Sequence, residues 1–117
     1  MATTSTRAVT ITFSSDVTGT NTLSAASNTA SPGVVELKTL ASGFNTITLP
    51  TGGSTVTACT IVPPAANTTA ITLKSITGDT GIRIHNTDPT TVTFHTTETA
   101  FGLTTGAQII GVRFFWS

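Results

Sequence analysis

The sequence predicts an all-β chain, folded as an antiparallel β-sandwich of jelly-roll kind. Three observations predict it. Apolar residues recur with a period of two nearly everywhere, the spacing of a half-buried strand. Gly, Pro, Asn and Asp punctuate those runs at the roughly eight-to-twelve-residue spacing of sandwiches and barrels. Threonine fills about a quarter of the chain, and its β-branched side chain suits a pleated strand better than a helix. A small closed barrel is the alternative architecture.

The elements follow in chain order. Residues 8–13 alternate, with Val9, Ile11 and Phe13 on one face, and residues 21–24 form a weaker candidate. Val34-Val35-Glu36-Leu37-Lys38 reads as a strand, and residues 44–49 follow with Ile47 and Leu49 on a common face. Residues 56–61, 69–74, 81–85 and 91–95 are further short alternating runs, and residues 109–116 close the chain. By the spacing rule, about eight to ten strands are expected. No segment carries the i, i+3, i+4, i+7 apolar pattern of a helix.

Between the runs lie turn signals: Ser31-Pro32-Gly33, Pro50-Thr51-Gly52-Gly53, Thr77-Gly78-Asp79-Thr80-Gly81 and Asn86-Thr87-Asp88-Pro89. Pro63-Pro64 ends a strand by removing two backbone donors. Residues 1–7 carry almost nothing to bury and are expected as a flexible N-terminal arm on a single domain spanning residues 1–117. The small, polar stretch 24–31 reads as a long loop or a second arm.

Charge is the main compositional anomaly. Only 9% of residues are charged, and five basic residues balance five acidic ones, against about 25% charged in an ordinary domain. Scattered cations offer no patch for phosphate neutralisation, so no nucleic-acid partner is expected. A surface of hydroxyls and small apolar groups is easier to desolvate than one of lysines and glutamates. That favours contact with other protein surfaces. The N-terminus lacks a basic segment followed by an apolar one, and no run of about 18 apolar residues occurs. Neither secretion nor a membrane partner is therefore expected, and synthesis in a host cytoplasm is.

The chemistry-bearing residues assemble into no catalytic set. Cys59 is the single cysteine and reads as a small buried hydrophobe. Asp79 and Asp88 fall in turns, where aspartate bonds its own backbone. His85 and His95 flank the turn at residues 86–90; a hairpin there would let the two rings approach as a metal pair or, better, as a pH-sensitive contact. No nucleophile elbow or phosphate loop occurs. The expectation is a non-enzyme with no catalytic residue, cofactor or metal. Phe114-Phe115-Trp116 places aromatics on both faces of the last strand, so these three, with Arg7, His85 and His95, are the candidate interface residues.

Residues 70–85, the turn 86–90 and the closing Ile110-Gly111-Val112-Arg113-Phe114-Phe115-Trp116 resemble, over the C-terminal half, small β-sandwich proteins of tailed-bacteriophage virions. The resemblance implies a capsid decoration subunit or a minor tail component. It would assemble as a symmetric homo-oligomer, a trimer among the forms expected, and bridge subunits of a major capsid or tail protein. Two other readings follow from the residues: a tail-borne receptor or glycan binder using an exposed Trp116 or His pairs in loops, and a subunit of a microbial filament or layer.

Overall fold

The computed structural model describes residues 5–7, 10–13, 21–24, 28–30, 34–50, 56–95 and 97–117, with side chains from residue 34 onward. Among them lie twelve strands: β1 (Ser5–Arg7), β2 (Thr10–Phe13), β3 (Asn21–Ser24), β4 (Asn28–Ala30), β5 (Val34–Leu40), β6 (Gly43–Thr48), β7 (Ala58–Val62), β8 (Ile71–Lys74), β9 (Ile82–Ile84), β10 (Thr90–Thr93), β11 (Ala100–Thr105) and β12 (Ile109–Trp116). The all-β class and the two-sheet sandwich expected from the period-two pattern are the architecture observed.

Eight of these strands build two antiparallel four-stranded sheets, ordered β10-β7-β12-β5 and β6-β11-β8-β9. The pairs β5–β12, β6–β11, β7–β10 and β8–β9 are nested like the rungs of one long folded hairpin. The β12–β7 and β11–β8 pairings roll that hairpin shut. This is jelly-roll connectivity. The inner faces meet in one core of Leu40, Ile47, Cys59, Ile61, Ile71, Leu103, Val112, Phe114 and Trp116, among others. Phe94, Phe101 and Trp116 link the two sheets: Phe101 stacks on Phe94 at 5.2 Å and meets the indole at 6.3 Å.

Three features depart from the sequence reading. β11 was not expected, although it is central to its sheet. Its buried residues run almost without interruption, so it lacks the alternation that marks a half-exposed strand. β9 and β10 do not form the expected hairpin; β9 pairs with β8 and β10 with β7, in different sheets. The connection crosses the sandwich instead of turning back. Finally, β1 pairs with β4, within segments expected as arm and loop, and β2 pairs with β3. Neither ribbon joins the four-stranded sheets. Residues 1–4 of the expected arm lie outside the described residues.

The last strand carries a bulge. Ile109 pairs with Leu40 and Val112 with Lys38, so two residues of β12 face Thr39 alone, with Gly111 at φ 86°. A positive φ is where glycine is at home. The extra residue resets the alternation, allowing both Ile109 and Val112 to enter the core.

Candidate assembly surface

β5 reverses the usual polarity of an edge strand. Glu36 and Lys38 occupy the half-buried positions in line with core residue Leu40, while Val35 and Leu37 face outward at 64% and 69% exposure. The two charges satisfy each other at the rim, Lys38 Nζ lying 3.0 Å from Glu36 Oε2. The apolar side chains have no such arrangement. Phe115, directly opposite Val35 on β12, extends the outward apolar face, and Ile110 continues it on the same strand. Four of the six large apolar residues exposed among the described residues thus belong to the outer side of one sheet. Arg113, opposite Leu37, is the cation of that face. Next to it, Thr60 and Thr91 share a hydroxyl hydrogen bond of 2.8 Å, leaving a surface with few strongly hydrated groups.

The structure divides the three C-terminal aromatics expected as contacts. Phe114 and Trp116 are fully buried and stack on each other with ring centroids 6.3 Å apart. Both are corrected to core residues: the even-numbered positions of this end of β12 point at the opposing sheet, and only Phe115 points out. The buried indole also removes the platform that a Trp116-based glycan site would need. Arg7 ends β1, and its side chain lies outside the described residues.

The histidines do not come together. His85 closes its own turn: its Nδ1 accepts hydrogen bonds from the backbone N–H groups of Thr87 at 3.2 Å and Asp88 at 2.8 Å. An Nδ1 that accepts carries no proton, so the neutral ring is the Nε2–H tautomer. The Asp88 carboxylate, 3.7 Å away, therefore receives no hydrogen bond from Nδ1 in that state. His95 plays the equivalent part for Thr97, whose backbone N–H reaches its Nδ1 at 3.3 Å. An apposition of the two rings depended on a β9–β10 hairpin, and without it His85 and His95 follow strands of different sheets. No cluster of three potential metal-ligating side chains occurs among the described residues.

The remaining candidates serve structure. Asp79 accepts the backbone N–H groups of Ser75 and Ile76 at 3.0 Å each, the turn role read from the sequence. Cys59 is buried in the core opposite Trp116. Burial, with a smaller contribution from the negative charge of Glu36, pushes its thiol from an ordinary 9.0 up to about 12. A thiol held neutral is a poor nucleophile. Asn45, unnoticed in the sequence, pins the β5–β6 turn: its side chain accepts the Ala41 N–H at 2.9 Å and donates to the Ala41, Gly43 and Leu103 carbonyls. Only its place two residues after Gly43 hinted at that role.

No protein-family model, no curated protein and no solved structure matches this chain.

Proposed function

We propose that the chain is a non-enzymatic structural subunit of a virus particle, of the kind that decorates a tailed-phage capsid and bridges its shell subunits. The observation that carries the reading is the outward apolar face of Val35, Leu37, Ile110 and Phe115. Charge is not lacking on β5; it is turned inward while the apolar groups are turned out, which is the reverse of what solvent alone favours. Such a face is suited to lying against another protein. The near absence of charge over the whole chain supports the same reading, because little desolvation opposes contact. So do the two N-terminal ribbons, since a two-stranded ribbon holds little stability of its own in water and gains it from a neighbour. Jelly rolls occur in capsid and lectin domains alike, so the fold is compatible with the role without selecting it.

The test is made on particles. Virions purified by density gradient from the host that carries this gene should contain the chain in many copies per shell by quantitative mass spectrometry. Shells stripped of it should rebind the purified protein, and Val35→Asp with Phe115→Asp should abolish rebinding. Particles that lack the chain would overturn the proposal. Its presence in a few copies on tails alone would replace the capsid position with the minor tail one.

A further inference from the structure

β5 is an unusual strand to leave at the edge of a sheet. It is the longest of the four edge strands of the sandwich, seven residues against six in β6, four in β10 and three in β9. It carries no proline, and the bulge in its ladder lies on β12. Among the described residues, no strand pairs with its outer edge. A long, regular edge strand is a template for another strand unless its charges repel the incoming one, and Glu36 and Lys38 are the only charges on β5.

The order of its residues indicates which strand. Val34-Val35-Glu36-Leu37-Lys38-Thr39-Leu40 is self-complementary when read against itself in the opposite direction. With Leu37 at the centre, Leu37 faces Leu37 of a second copy. Glu36 then faces Lys38, Val35 faces Thr39 and Val34 faces Leu40. Each copy's carboxylate meets the other's ammonium, giving two charge pairs in all, and every apolar residue meets an apolar or β-branched one. Directly opposed, unlike charges and β-branched pairs are the favourable cross-strand combinations. Shifting the register by two residues in either direction loses both charge pairs.

We infer that β5 pairs antiparallel with β5 of a second copy of this chain, about a two-fold axis through Leu37. The two four-stranded sheets become one eight-stranded sheet, β10-β7-β12-β5 continued by its symmetry mate. The interface is isologous, so it closes at two copies rather than propagating into a fibre. The outward Val35, Leu37 and Phe115 of both copies then form one continuous face. This inference rests on the proposed assembly role only for its purpose; the pairing itself stands on the β5 edge and its residue order.

The experiment is sedimentation velocity on the full chain over a dilution series. The unmodified chain should run as a dimer at high concentration. Glu36→Lys and Lys38→Glu, which place like charges opposite one another, should each raise the dimer dissociation constant by about tenfold or more. An equimolar mixture of those two variants should recover the dimer, and so should the double variant E36K/K38E, in which the complementarity is restored with signs exchanged. Circular dichroism confirms that the variants fold. A second measurement is independent of charge. Under mild oxidation Leu37→Cys should cross-link to itself, whereas Val35→Cys should cross-link only when mixed with Thr39→Cys. An unmodified chain that stays monomeric throughout, dimers indifferent to charge reversal, or self-linking Val35→Cys would overturn the pairing. Particle binding by a monomeric chain would sink the pairing and leave the decoration role standing; a dimer absent from particles would do the opposite.

Discussion

Val35 and Phe115 stand directly opposite each other across the β5–β12 ladder, and both face away from the core. Phe114, one residue earlier on β12, is fully buried. Adjacent phenylalanines therefore report opposite sides of one sheet, and their truncations should differ sharply. Phe114→Ala should cost about 3–5 kcal/mol, as buried aromatics do. Phe115→Ala should cost about 1 kcal/mol or less, the worth of one cross-strand pair on an exposed face. Urea unfolding followed by Trp116 fluorescence measures both. Equal losses would mean that the outer face is already part of a core.

Gly102 leaves room for an aromatic ring. It lies in the central strand β11, and the ring of Phe44 sits where a Cβ would project. Gly102→Ala should cost about 1–3 kcal/mol, the usual penalty of overpacking. Trimming the obstacle should relieve it, so Gly102→Ala combined with Phe44→Ala should cost less than the sum of the two single changes. Strict additivity in thermal or urea unfolding would show that the ring moves aside freely.

The architecture was legible where one face of a strand is wet. β5, β6, β8, β10 and β12 announce themselves because a half-buried strand must alternate. β11 was hidden for the converse reason: its buried residues are nearly continuous, and Gly102 reads as a turn residue unless Phe44 is known to cover it. The site was legible only in part. Consecutive aromatics guarantee that one points each way, but the choice between Phe115 outside and Phe114 with Trp116 inside depends on the bulge at Gly111, which resets the phase of β12. His85 and His95 are not paired because the chain crosses from one sheet to the other between β9 and β10, where adjacency in sequence suggests a hairpin.

His85 should be recognisable by its tautomer. Because Nδ1 accepts from the Thr87 and Asp88 backbone, the proton of the neutral ring belongs on Nε2. Long-range proton–nitrogen NMR should show that pattern. His85→Ala should cost about 1 kcal/mol through the lost turn hydrogen bonds, and His85→Asn, which offers an acceptor of similar reach, should recover part of it. A ring protonated on Nδ1 when neutral would mean that the turn is closed differently.

Cys59 gives the fold an alkaline limit with a definite sign. Burial lifts the thiol from 9.0 to about 12, so the folded chain keeps its proton in a range where the unfolded chain gives it up. The stabilisation is fully present below pH 9 and is lost as pH rises from 9 toward 12. Thermal unfolding at a series of alkaline pH values should therefore show stability falling more steeply in the unmodified chain than in Cys59→Ala, whose difference isolates this group from the lysines. The same burial should keep the thiol silent toward a disulfide reagent at neutral pH until denaturant is added. Rapid labelling of the folded chain, with no difference between the two pH profiles, would place the sulfur in contact with solvent.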